Sequence, residues 1–188
     1  NYLKHNANYI LRKGSVDLGR TSLEGSRRFN SLKLWFFLKI LGRNGYHVLL
    51  KKSLQLTELM QSHLEEDADF ECTSVSETCI LTYRYVPQNT QKLLVEYAKQ
   101  NQTSAILELN IHLNELNVEL QKRQRENGKS FVSRTTLEST RYPQDIVVLR
   151  AVLTNLLTKS RFLKEILEEQ RELGQELLET KFMNLLPK

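Results

Sequence analysis

The sequence predicts an α+β fold in which an antiparallel sheet is covered by helices. Three observations lead there. Helical periods and β-rich runs follow one another in the order helices, two strands, helix, two strands, helix, a pattern that suits an antiparallel layer. Hydrophobic residues make up 40% and charged residues 26% of the chain, enough for a core and too apolar for disorder. The length of 188 residues allows one ordinary domain, or a small domain with part of another.

Residues 1–25 read as loop, because Gly14, Gly19 and Gly25 punctuate a polar stretch without apolar period. Ser26 is placed to cap the next segment, 26–42, which carries Phe29, Leu32, Leu34, Trp35, Phe36, Phe37, Leu38, Ile40 and Leu41. A helix apolar nearly all round by its end is expected to be buried on several sides, and Gly42 and Gly45 to break it. A second helix follows over 46–64, with Leu49, Leu50, Leu56, Leu59, Met60 and Leu64, ended by Glu65-Glu66-Asp67. Residues 70–75 and 78–86 are expected to pair as strands about a turn at Ser76-Glu77, with Pro87 stopping the second.

Residues 88–104 are polar, with a short helix around 92–99. The clearest helix is 105–127, where Ile106, Leu109, Leu113, Leu116 and Leu120 recur at three- and four-residue steps and Gly128 closes the run. That leucine stripe reads as core. Strands are expected at 131–137 and 145–153, and a last helix at 160–180 with Phe162, Leu163, Ile166, Leu167, Leu173, Leu177 and Leu178.

The net charge of +5 hides a division. Residues 1–52 carry eleven Lys/Arg against two acids, and 53–188 carry sixteen against twenty. A basic arm of this kind fits nucleic acid, a phosphate-bearing ligand or a domain seam. The aromatics of 29–41 fall on an apolar helix instead of interleaving with basic residues, which speaks against a nucleic-acid surface. No run approaches the ~20 apolar residues of a membrane helix, and the N-terminus lacks the layout of a signal peptide. The chain does not open with Met, which suggests a piece of something longer. Cys72 and Cys79 are too few for a disulfide framework and too far apart for a C-x-x-C site, so a reducing cytoplasm is expected. The four histidines show no metal spacing, and no metal is expected. No phosphate loop, H-E-x-x-H or G-x-S-x-G motif occurs.

Two arginine features ask for anions. Arg27 and Arg28 stand at a helix start, where the dipole prefers negative groups, so they are expected to meet a phosphate, a carboxylate or a domain seam. Arg150 lies inside the apolar strand 146–153 and must find either an internal Glu or a ligand carboxylate held by its fork.

The string Ser26-Arg27-Arg28-Phe29-Asn30-Ser31-Leu32-Lys33-Leu34-Trp35, followed by Gly42, resembles the group II pyridoxal-phosphate-dependent amino-acid decarboxylases. Their large domain ends in a Gly/Ser-Arg-Arg-Phe-x-x-Leu-Lys-Leu-Trp run. Tyr2-Leu3-Lys4-His5 is similar to the mobile catalytic loop of the aromatic branch. The stretch from Val148 through Arg150 to Asn155 looks like the Arg-bearing strand near the end of these enzymes.

The resemblance implies a type I aminotransferase-like fold, a homodimer with its active site at the seam, and pyridoxal 5'-phosphate as cofactor. Residues 1–44 would hold the catalytic loop and the end of the large cofactor-binding domain, and 45–188 the C-terminal small domain, with insertions at 88–104 and 138–144. The implied roles are Tyr2 as proton donor to the product carbon, His5 as its aid, Gly25 and Ser26 at the cofactor phosphate, and Arg150 on a substrate carboxylate. The family's Schiff-base lysine belongs to a His-Lys-Trp-type motif ahead of the loop. No such motif occurs here, and Lys4, Lys13 and Lys33 lack that context. The chain is therefore expected to need a second copy or the N-terminal cofactor-binding portion of the same enzyme, and to be inactive alone. Carbon dioxide and an amine are the expected products. The alternatives are a related enzyme releasing aldehyde, which the loop tyrosine argues against, and a non-catalytic module with a basic arm for nucleic acid. The residues leave the amino acid open.

Overall fold

The structure, a computed structural model, describes residues 26, 28–75 and 77–185. The chain divides between Tyr46 and His47 into two units.

In the first unit the described residues lead into α1 (Ser31–Glu66). The helix starts five residues later than the sequence suggests, so Ser26 does not cap it; the Leu32 and Lys33 amides bond instead to Phe29 and Asn30 carbonyls. Gly42 interrupts the helix with φ 61° and ψ −174°, a left-handed conformation that glycine adopts without a Cβ penalty. Gly45, expected to share in the break, lies within the helix. The expectation of burial on several sides fails for this chain. Phe29, Trp35, Phe36 and Ile40 are 72, 52, 50 and 77% exposed. Their rings pack locally: Trp35 meets Phe36 edge to face at 5.2 Å, and Phe37 meets Tyr46 at 5.2 Å. Together they form an extended exposed apolar face.

The second unit is built on four antiparallel strands in the order β1-β2-β4-β3. These are β1 (Phe70–Cys72), β2 (Ile80–Tyr85), β3 (Ser133–Leu137) and β4 (Ile146–Val152). The register sets Phe70 opposite Tyr85, Leu81 opposite Ala151 and Ser133 opposite Arg150. The first two strands are shorter than expected, Ser76 of the expected turn lies outside the described residues, and β3 omits Phe131, which is 65% exposed. One face of the sheet sends Leu81, Tyr83, Tyr85, Leu149 and Ala151 into the core. There they meet Leu56, Met60 and Leu64 of α1, together with leucines of α3 (Thr103–Asn127) and α4 (Ser160–Thr180). α2 (Gln88–Lys99) is longer than the 92–99 expected. It begins where Pro87 ends the strand run, and Gln91 Nε2 ties it to the carbonyls of Ala68, Phe70 and Val86 at 2.9, 3.0 and 3.2 Å.

The leucine stripe of α3 is core as read, with Leu113, Leu116 and Leu120 fully buried. Beside it runs a second stripe that the sequence reading passed over. Asn110, Asn114, Asn117, Gln121 and Gln124 recur at alternating four- and three-residue steps, the spacing of neighbours along one helix face. β2 and β4 pair only as far as Tyr83 and Leu149. Two positions further on, the Tyr85 N–H donates to Asn117 Oδ1 at 2.8 Å, and Asn117 Nδ2 donates to the Tyr85 carbonyl at 2.9 Å. Asn114 does the same for β4, accepting from the Val147 N–H and donating to the Asp145 carbonyl. α3 thus takes the place of a strand partner where the ladder opens, and supplies partners to the backbone of Tyr85, Val147 and Asp145. Gly128, at φ 71°, closes the helix with its N–H on the Gln124 carbonyl. Among the described residues no helix is long and apolar enough to cross a membrane.

Candidate functional site

Two arginines lie inside strands of the sheet, and their surroundings differ. Arg84, on β2, is wholly buried. Its Nε donates to Glu71 Oε2 at 2.7 Å and its Nη1 to Asn110 Oδ1 at 2.8 Å. The guanidinium lies 4.6 Å from the centre of the Tyr142 ring. Glu71 Oε1 accepts from Arg141 Nη2 at 2.8 Å and from the Tyr142 hydroxyl at 2.9 Å. Burial, with Glu71 adding to it, pushes the Tyr142 phenol up. Arg84 Nη2 and Asn110 Nδ2 are buried there without a hydrogen bond, but both charges of the Arg84–Glu71 pair are matched internally, and the cluster ties β1, β2, α3 and the segment before β4 together. The sequence reading missed it, although the hairpin register alone sets Glu71 opposite Arg84.

Arg150 occupies the middle of β4. Its strand neighbours Leu149 and Ala151 face the core, and alternation turns Arg150 to the other face. There it stands between Thr82 of β2 and Ser133 of β3. Ser133 Oγ donates to the Arg150 carbonyl at 2.9 Å. Thr82 Oγ1 is engaged by the hydroxyls of Thr73 at 3.0 Å and Ser74 at 2.7 Å. Arg150 is half-buried, and among the described residues its guanidinium has neither an ion pair nor a hydrogen bond. Of the two partners the sequence allowed, the internal Glu belongs to Arg84 instead.

The other expected site residues are less informative. Tyr2, His5, Gly25 and Arg27 lie outside the described residues, and Ser26 is an exposed residue in a bend. Arg28 is exposed as well. Among the described residues no group of three or more His, Cys, Asp or Glu is placed to hold a metal ion.

The sheet thus packs Leu81, Tyr83, Tyr85, Leu149 and Ala151 into the core on one face and carries Arg84, partnered, and Arg150, unpartnered, on the other. The model of the "Pyridoxal-dependent decarboxylase conserved domain" matches residues 1–86. The chain is 43% identical over 173 residues to aspartate 1-decarboxylase of Aliivibrio fischeri, covering 92% of this chain and 31% of that protein. It is 25% identical over 165 residues to aromatic-L-amino-acid decarboxylase of Bacillus atrophaeus, covering 88% and 30%. Among solved structures it superposes on mouse CSAD in apo form with a TM-score of 0.64 at 19% identity, covering 86% of this chain and 31% of that one. Oryza sativa TDC with PLP and tryptamine follows with a TM-score of 0.62 at 18% identity, covering 86% and 30%. These likenesses place the chain beside the group II pyridoxal-phosphate-dependent amino-acid decarboxylases, and its fold is that of their C-terminal region. It spans 31% of the length of its Aliivibrio fischeri relative.

The cofactor of this family is pyridoxal phosphate. The described residues fit only the rim of such a site. Ser26 offers an exposed hydroxyl that can meet a phosphate oxygen, whereas every described lysine side chain is exposed to solvent and none sits in a cofactor pocket.

Proposed function

We propose that this chain is the C-terminal part of a carboxy-lyase that removes carbon dioxide from an L-amino acid and leaves the amine, and that Arg150 holds a carboxylate of the substrate. The observation that carries this reading is the free guanidinium of Arg150, half-buried on the sheet face turned away from the core. A guanidinium that leaves water without an internal anion is poised for a ligand carboxylate, which it can grip through two parallel bonds. L-Aspartate is the favoured substrate, because the relative 43% identical over 173 residues is an aspartate 1-decarboxylase and a second carboxylate gives Arg150 a partner that survives the reaction.

Pyridoxal phosphate, when bound, supplies the electron sink for the bond that breaks. The roles of this chain's own residues follow from their chemistry. Tyr2 is a phenol, ordinarily titrating near ~10, so it keeps its proton at neutral pH and can deliver it to the product carbon. His5, three residues on, aids that transfer, and the loop carrying both keeps bulk water from the reacting carbon. Gly25 and Ser26 approach the cofactor phosphate. Residues 1–44 then complete the large domain and 45–188 form the small one. The exposed apolar face around Trp35, Phe36 and Ile40 supports a cover supplied by the N-terminal portion of the enzyme, within a homodimer. The exposed lysines support the expectation that the chain alone does not catalyse. A relative 24% identical is a phenylacetaldehyde synthase of Arabidopsis thaliana, but Tyr2 favours the amine. The reading places the enzyme in the cytoplasm, with no role for nucleic acid or membrane.

Arg150→Lys in the full-length enzyme tests the proposal, since Lys keeps the charge and loses the fork. KM for L-aspartate is expected to rise about tenfold, the equivalent of roughly 1.4 kcal/mol of binding, with the melting temperature unchanged. An unchanged KM with a lowered melting temperature would make Arg150 structural.

A further inference from the structure

The two strand arginines differ in one respect that the register makes plain. Arg84 has a carboxylate, Glu71, at its cross-strand position, and the two form an ion pair. Arg150 has Thr82 at one cross-strand position and Ser133 at the other. Side chains directly opposite one another in an antiparallel pair have Cβ atoms about 4.5–5.5 Å apart, so a Glu at either place would reach the guanidinium as Glu71 reaches Arg84. Thr and Ser cannot neutralise it. They are short and uncharged, and their hydroxyls are already occupied, Thr82 by Thr73 and Ser74, Ser133 by the Arg150 carbonyl.

We infer that Thr82 and Ser133 are specificity-determining residues, which leave the Arg150 guanidinium to the substrate carboxylate by withholding an internal anion from both flanks. The inference rests on the carboxylate reading of Arg150. It adds that affinity for an acidic substrate is set at two positions that never touch the substrate. They act through Arg150 and are positioning residues in that sense. The Arg84 row is the internal comparison. The same residue type in the same sheet, given one carboxylate across the ladder, becomes part of the framework.

The test uses the full-length enzyme and the pairs Thr82→Glu against Thr82→Gln and Ser133→Glu against Ser133→Gln. Glu and Gln match in size and differ in charge. KM and kcat for L-aspartate, the inhibition constant of succinate as a dicarboxylate probe, and the melting temperature are read for each. Each Glu variant is expected to show KM and the succinate constant about tenfold above its own Gln counterpart, with kcat at saturation much less affected and the melting temperature equal to or above the Gln value. Equal values for Glu and Gln would overturn the inference, because size and not charge would then matter. Ser133 lies half-exposed on the edge strand β3, so its pair remains readable if Thr82→Glu fails to fold. Arg150→Lys separates the two levels. If it leaves KM unchanged, the carboxylate reading itself falls. If it raises KM while the Glu variants match their Gln counterparts, only the present inference falls.

Discussion

Arg84 and Glu71 face each other across the β1–β2 ladder, with Nε and Oε2 2.7 Å apart and their side chains 0% and 10% exposed. Both charges have left water, and each depends on the other and on the groups around them, the Arg141 cation on Glu71 included. Asn110 takes one guanidinium nitrogen, and Tyr142 donates to the far oxygen of Glu71 while its ring stacks on Arg84.

Glu71→Gln keeps the shape and removes the negative charge, which leaves the Arg84 cation buried without compensation. A loss of about 3–5 kcal/mol in unfolding free energy is expected, measured by chemical denaturation. The double variant Glu71→Gln, Arg84→Met should recover much of that loss, since neither charge then remains to be desolvated. A single-variant loss under about 1 kcal/mol would show that the pair does not matter to stability.

Asn117→Leu fills the same volume but withdraws both bonds from the backbone of Tyr85. Each orphaned buried group is expected to cost about 1–3 kcal/mol, and the Tyr85 amide should exchange with solvent faster than its neighbours. Asn114→Leu, at a half-buried position, should cost less. Equal protection of the Tyr85 amide in wild type and variant would contradict the account of α3 as a surrogate strand.

At Gly174, α4 passes close to Tyr85. A Cβ built there would run into Tyr85 Cε1 and lie 2.6 Å from Cζ, and the ring is itself buried. Gly174→Ala should therefore destabilise by about 1–3 kcal/mol, although alanine in an open helix would stabilise by roughly 0.5–1. Tyr85→Leu in the same background should relieve part of the cost, which a double-mutant cycle would detect as coupling.

Burial pushes the phenols of Tyr83 and Tyr85 well above the ordinary tyrosine range, and the nearby Asp69 adds to the effect at Tyr85. In the unfolded chain both would lose their protons near ~10. A raised folded pKa means that the folded state binds more protons above that point, so the slope of stability against pH is negative there. The contribution is fully present below about pH 10 and is lost as pH rises through the folded values. Alkaline titration should show these two tyrosines ionising only as the structure opens. Tyr83→Phe should flatten the alkaline loss of stability. Early, reversible ionisation of Tyr83 in the folded protein would refute this.

Much of the architecture was legible in the sequence because it is written in short-range patterns. The leucine steps of 105–127 and 160–180, the β-rich run ending at Pro87 and the glycines at 42 and 128 each act within a few residues of themselves. The fold class and the order of elements followed from them. The string from Ser26 to Trp35 likewise carried the family, and a string is local by nature. Where local reasoning went wrong, the cause was a missing neighbour. The apolar turns around Trp35 and Ile40 were expected to be buried, because sequence shows that a face is apolar and not whether this chain supplies its cover.

What the sequence alone determined is therefore the order of elements, the core-facing leucine stripes of 105–127 and 160–180, and the likeness to a family. Only the tertiary structure decided which polar groups meet. Arg84 and Arg150 look alike in sequence, each a cation within a strand-forming run. Their fates separate because the register sets Glu71, thirteen residues away, across from Arg84, and the hydroxyls of Thr82 and Ser133 across from Arg150. Asn117 likewise gains its meaning from Tyr85, 32 positions earlier. Periodicity is a property of one element. Pairing is a property of two, and it is set by how their buried faces pack together.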